Sequence, residues 1–180
     1  EMQRSLVGSE MCIRDRFITV GFFAFMGILT FVSFKAAFTP IPSITSEEFS
    51  KALEANGYSY YDSTSEWLEA NPGWSFDKCT SYTDSTLRLD FLVFGDAKIA
   101  MGSFSAITSK LTSIYTSHRD NAVDCPYGSS RRANFIYRTL KADGMYYHLM
   151  RIDNTIFYAI STTERENEVL KIAKEIGYIG

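Results

Sequence analysis

Hydrophobic and polar positions divide this chain into two unlike parts. Residues 17–34 (FITVGFFAFMGILTFVSF) run eighteen positions without a charge, and Lys35 alone interrupts before Ala36-Ala37-Phe38. At about 1.5 Å per residue, a helix of that length spans roughly 27 to 33 Å, the thickness of a bilayer's hydrocarbon core. The pattern predicts a transmembrane anchor over 17–38. Beyond it polarity is mixed. Pro40 and Pro42 cannot continue a helix, so 39–44 reads as a short stiff linker ahead of a folded domain over 45–180.

Within that domain the apolar spacing predicts a helix first. Thr45 stands as N-cap with Glu48 at the third helical position, a capping box, and Ile44 and Phe49 are placed as a hydrophobic staple. Phe49, Ala52 and Leu53 make the buried stripe, and Gly57 ends the helix. A short strand is expected over 58–61, and one or two helical turns over 64–70 before the turn cluster Asn71-Pro72-Gly73. Leu87, Leu89, Phe91 and Val93 alternate with Arg88 and Asp90, which predicts a strand over 87–94. Asp96 caps a helix whose core stripe is Ala100, Phe104, Ile107, Leu111 and Ile114. A polar loop follows over 116–130.

Three strands are then predicted, over 133–140, 145–152 and 155–162, turning at Asp143-Gly144 and Asp153-Asn154. A last helix starts at Thr163, with Glu166 three residues on as a second capping box. It buries Val169, Ile172, Ala173 and Ile176 and stops at Gly177. Striped helices and alternating strands must bury their apolar sides against each other. The expected fold is therefore α+β: a twisted antiparallel sheet of about five strands with helices packed mainly on one face, preceded by one transmembrane helix.

Charge narrows the partners. From Thr39 to Gly180 there are fourteen Lys or Arg against eighteen Asp or Glu, a net of −4. That argues against a nucleic-acid partner, which calls for a concentrated basic face, and against strong attraction to anionic lipid head groups. About 140 residues are enough to bury a real core.

The first sixteen residues carry no fold information. Ser5 to Arg16 (SLVGSEMCIRDR) resembles the in-frame translation of a transposase adapter used in sequencing-library preparation, so 1–16 reads as a non-native segment. The alternative is a short basic cytoplasmic tail. Arg14, Arg16 and Cys12 are accordingly set aside. A cleaved signal peptide is the rival to the anchor, but the apolar run exceeds the usual 7 to 15 residues and Lys35 fits the cleavage preference poorly. No Cys closely follows the run, so lipid attachment is not indicated. Lys35 alone argues weakly against an exported domain. Cys79 and Cys125 argue for export, as an even pair able to form one disulfide. The bridge would close a loop of 46 residues, worth roughly 4 kcal/mol in the chain-entropy model.

Ile44-Thr-Ser-Glu-Glu-Phe49 with Asn56-Gly-Tyr58, the hairpin Met150-Arg-Ile-Asp-Asn-Thr155 and the ending Ile176-Gly-Tyr178 resemble a group of small uncharacterised proteins of Gram-positive bacteria. These are membrane-anchored or lipoprotein-like and carry an extracytoplasmic α+β domain. The likeness covers about 44–178. It implies a single-pass protein of the cell membrane with its C-terminal domain extracytoplasmic. It implies no activity, and Cys79 and Cys125 are not part of its pattern.

The chain lacks zinc-site spacing, a glycine-rich phosphate loop, a G-x-S-x-G elbow and a Cys-x-x-Cys pair. No catalytic residue, metal ligand or cofactor is assigned. Five residues are candidates for a binding rim: Trp67 and Trp74 flanking a turn, His118 in the polar loop, and Arg151 and Asp153 at the last hairpin. Their structural readings are a packed lid, a solvated loop and an ordinary charged turn. The expected function is a non-catalytic, membrane-tethered extracytoplasmic domain that binds a protein or envelope component. One alternative is a hydrolase or transferase with a Cys-His site near His118 and Cys125. Another is an accessory subunit whose anchor, with Gly21, Ala24 and Gly27, packs inside a membrane complex.

Overall fold

The computed structural model describes residues 22, 25–30, 40–128 and 134–178. The chain divides into two units, Glu1–Thr39 and Pro40–Gly180. In the first, residues 25–30 are helical, and Phe25 and Ile28 are 60% and 62% exposed. Among the described residues no helix is long and apolar enough to cross a membrane. The expected anchor over 17–38 lies mostly outside the described residues, and the adapter-like 1–16 lies wholly outside them.

The second unit is α+β. Its helices are α1 (Ser46–Ala55), α2 (Thr64–Ala70), α3 (Ala97–Ser117) and α4 (Glu166–Glu175). Its strands are β1 (Tyr61–Asp62), β2 (Lys78–Thr83), β3 (Leu87–Val93), β4 (Val123–Gly128), β5 (Phe135–Ala142), β6 (Met145–Ile152) and β7 (Thr155–Thr162). They form one antiparallel sheet of seven strands in the order β1-β2-β3-β7-β6-β5-β4. Strands β4 to β7 are a meander whose last member pairs with β3. The chain must therefore cross from β3 to the far edge, four strand steps or about 19 Å. The 21 residues of α3, about 31 Å of helix, make that crossing.

The sheet has two more strands than expected. Strand β2 (KCTSYT) shows no apolar alternation, yet Cys79, Thr80 and Ser81 are all buried, and Ser81 bonds there to Asp90 of β3. Strand β4 (VDCPYG) contains Pro126, which is tolerated because β4 is an edge strand with a register shift between Cys125 and Gly128.

Helices cover both faces, not mainly one. On the first face α1 and α4 press Phe49, Leu53, Val169 and Ile172 onto Leu89, Phe91, Met150 and Phe157. On the second, α2 and α3 press Trp67, Phe104, Ile107 and Leu111 onto Leu92, Leu149 and Ile156. The central strands are apolar on both sides, and that forces two layers.

The caps sort cleanly. Thr45 forms its capping box: its Oγ1 accepts from Glu48 N at 3.2 Å, and its own N–H donates to Glu48 Oε2 at 2.7 Å. Asp96 accepts from the backbone N–H groups of Lys98 and Ile99 at 2.8 Å each. The second expected box does not form. Residues Thr163–Arg165 make a 3-10 turn, and Arg165, at the N-cap of α4, makes no capping bond. Its guanidinium instead clamps Glu168 and the β2–β3 turn at Asp84.

The linker also differs from expectation. Residues 41–44 belong to the domain rather than spacing it off. Asn134 accepts from Ile41 N at 3.1 Å and donates to Ile41 O at 2.7 Å, and Ile41 and Ile44 pack on the first core.

Candidate functional site

The most concentrated polar chemistry lies under α2, on the second face. Asp90 projects from β3 toward the same side as Ser81 of β2, because the two residues are direct cross-strand partners. Ser81 Oγ donates to Asp90 Oδ1 at 2.5 Å and shares a second short contact with Ser63 Oγ. The Cys79 thiol stands 3.7 Å from Ser81 Oγ. On the other carboxylate oxygen, Arg88 Nε donates to Asp90 Oδ2 at 2.7 Å, and its Nη1 reaches Glu66 at 3.1 Å. The guanidinium also covers the Trp67 ring, 5.6 Å from its centroid.

Ser63 is the formal N-cap of α2 but makes no capping bond, since its hydroxyl is taken by Ser81. A short helix has thus given up a cap to close a buried network.

The centre of that network is sealed, while Arg88 and Glu66 carry it out to the surface. Asp90, Ser81 and Cys79 are 0% exposed. Burial pushes the Asp90 carboxyl up, against the opposing pull of its bond and charge pairing with Arg88. Burial pushes the Cys79 thiol up to about 12, and the Asp90 charge adds to this. A protonated, enclosed thiol is a poor nucleophile. His148, on the opposite face of the sheet, is also enclosed: Nδ1 pairs with Tyr146 Oη at 2.8 Å, and among the described residues Nε2 has no hydrogen-bond partner. Burial alone lowers its pKa to about 4.

The disulfide expected between Cys79 and Cys125 is not formed; Cys79 is a free, buried thiol. Strands β2 and β4 stand five steps apart in the sheet, about 24 Å, where a disulfide needs Cα atoms within about 7 Å. An even count of cysteines carried that expectation, and it held no information about strand order.

The five expected rim residues fall in three places. Trp67 and Trp74 stack with centroids 5.8 Å apart, and Trp67 is buried against Tyr158. Arg151 and Asp153 sit at the β6–β7 hairpin, but Arg151 is only 6% exposed and donates to the Asp153 carbonyl at 2.6 Å rather than facing solvent. Asp153 holds Asn134 through its carboxylate, at 3.0 Å. His118 caps the far end of α3, its Nδ1 lying 3.1 Å from the Ile114 carbonyl. The Cys125 side chain lies outside the described residues, so the His118–Cys125 pair has no described geometry. Among the described residues there is no metal-binding group of three or more His, Cys, Asp or Glu.

A surface groove does exist elsewhere. It is a cavity of about 410 Å³ between the pinned segment 41–44, α1 and the end of α4. Ile41, Ile44 and Ala52 line it with apolar surface, beside Ile176. Glu48 and Glu175 also line it. Glu175 Oε2 accepts from Asn56 at 2.6 Å, which ties α4 to α1. The end of α4 is shaped by Gly177, at φ 74°, where Tyr178 N bonds Ala173 O and Gly177 N bonds Lys174 O.

Neither Asp90 as a buried group nor this groove was read from the sequence. The signal that Asp90 lies inside was Leu92 and Phe94 on the same side of its strand, which marks both faces as covered. The groove depends on residues far apart in the chain. No family model, no curated protein and no solved structure matches this chain.

Proposed function

We propose that this chain is a membrane-tethered extracytoplasmic binding module, non-catalytic, that recognises a protein or envelope component through its folded unit. The observation that carries the reading is the charge-free run over 17–34 joined to a domain with its own two-sided core. The large apolar side chains left exposed on helical residues 25–30 support it, since such a surface needs a non-aqueous cover. Cys79, Asp90 and His148 are enclosed, so none of the three offers an accessible reactive group, and the Cys-His alternative at His118 and Cys125 is a separate reading. The free Cys79 removes one argument for export, so the extracytoplasmic side rests on the resemblance.

The test is fractionation of cells expressing the full chain, followed by alkaline carbonate washing and protease treatment of intact cells. Retention in the washed membrane with digestion of the domain from outside is the expected result. Recovery of the chain as free soluble protein overturns the tether, and protection from external protease overturns the orientation.

A further inference from the structure

The groove between residues 41–44, α1 and α4 has features that define its occupant. Its volume, about 410 Å³, falls within the range of ordinary ligand sites. Its walls are apolar, and the two charged residues lining it, Glu48 and Glu175, are both acidic. Each carboxylate is held in place by one oxygen. Glu48 Oε2 is occupied by Thr45, and Glu175 Oε2 by Asn56. Among the described residues, the remaining oxygens meet no donor apart from a long 3.9 Å approach of Lys171 to Glu175. Positioned acceptors beside an apolar wall suit a group with an apolar stem and a cationic tip.

We infer that this groove binds a basic amphipathic peptide segment, with apolar side chains against Ile41, Ile44 and Ala52 and a Lys or Arg head between Glu48 and Glu175. The domain's net charge of −4 favours approach of such a partner. This names the partner chemistry of the binding-module reading and rests on it, but it does not depend on the anchor.

The proposal is tested with the full chain in an uncharged detergent, by fluorescence anisotropy of three labelled peptides. One alternates leucine with lysine, one leucine with glutamine, one leucine with glutamate. The lysine peptide is expected to bind most tightly, and to weaken as salt rises and screens the pairs. The double variant E48Q/E175Q keeps an amide oxygen for both the Thr45 cap and Asn56, so the fold is retained while the charge is lost. It should bind the lysine peptide about three- to tenfold more weakly, the range for two half-exposed ion pairs. Filling the groove with Ala52→Leu should weaken all binding.

A control, E54Q/E69Q, removes two exposed carboxylates elsewhere and should change little. Equal affinity for the glutamine peptide overturns the cationic requirement. Equal losses in E54Q/E69Q and E48Q/E175Q overturn the groove in favour of overall charge. Absence of binding by all three peptides overturns the inference, and the membrane fractionation above still decides the tether on its own.

Discussion

Each face of the sheet carries its own apolar core, but the two treat polar groups differently. On the face covered by α1 and α4, Phe49 stacks on Phe91 at 5.0 Å and meets Phe157 edge-on at 5.9 Å. His148 is buried there with Tyr146 and Tyr178, and among the described residues one of its ring nitrogens has no hydrogen-bond partner. On the face covered by α2 and α3, Asp90 is equally buried, yet both carboxylate oxygens are bonded and a guanidinium stands beside it. Two other buried cations line that side, Arg138 and Arg151, and among the described residues Arg151 Nε has no hydrogen-bond partner. Arg138 donates through Nη1 to Thr108 O and Thr112 Oγ1 of α3, each at 2.7 Å. The lesson is that burial by itself does not set the cost of a polar group; its partners do.

The largest expected effect is on the apolar face. Phe49→Ala empties the centre of the first core and should cost about 3–5 kcal/mol. It is read as a lower urea midpoint with an unchanged slope. A loss under about 1 kcal/mol would mean the aromatic cluster repacks, and the contrast between faces would weaken.

On the other face, Asp90→Ala should cost about 3 kcal/mol, because it strands Arg88 and Ser81 without their acceptor. Asp90→Asn keeps an acceptor for Arg88 or Ser81 and should cost less. Equal losses for the two, by the same urea titration, would show that charge rather than bonding sustains the network.

Acid separates the faces by sign. The folded pKa of His148, about 4, lies below the ordinary 6.5, so in that interval the unfolded chain holds more protons. Its stabilising contribution is complete above pH 6.5 and is lost as pH falls toward 4, by up to about 3 kcal/mol. Asp90 works in the opposite direction. Its folded pKa is raised above 3.8 by burial, so its contribution is complete below that value and is lost as pH rises through the folded pKa. Melting temperatures between pH 7 and 4.5 should therefore fall in the native chain and fall much less in His148→Leu. An unchanged acid slope in that variant would exclude His148 as its source.

The smallest effect compares two N-caps. Thr45→Ala removes a true cap of α1 and should cost about 1 kcal/mol. Ser63→Ala removes no cap, since that hydroxyl bonds Ser81; its cost should depend on whether Asp90 is present. A double-mutant cycle of Ser63→Ala with Asp90→Asn measures this, and strict additivity would argue that the network acts as separate pairs.

Much of the fold was legible because local chemistry is strong where it was read correctly. Thr45 with Glu48, Asp96 before its helix, and Asp143-Gly144, both at positive φ, are decided by the few residues around them. Strand β2 was missed because it lacks an apolar alternation, and β4 because Pro126 and Gly128 interrupt a short run of Val123, Cys125 and Tyr127; the first is held in part by the Ser81–Asp90 bond and the second lies at an edge that tolerates proline. The candidate site was scarcely legible. Arg151 and Trp67 read as rim and are buried, while Glu48 read only as a capping residue and Glu175 was not singled out.

By itself the sequence determined the apolar run, the helix stripes and caps, the hairpin turn at Asp143-Gly144 and the net acidity, since each depends on neighbours within a turn or two of chain. Tertiary structure alone decided that β7 pairs with β3, that helices cover both faces, that Cys79 and Cys125 stand on strands five steps apart, and that residues 41–44 meet the end of α4 to make a groove. Those outcomes depend on which distant surfaces fit together, and a one-dimensional pattern of polarity holds no distances between them.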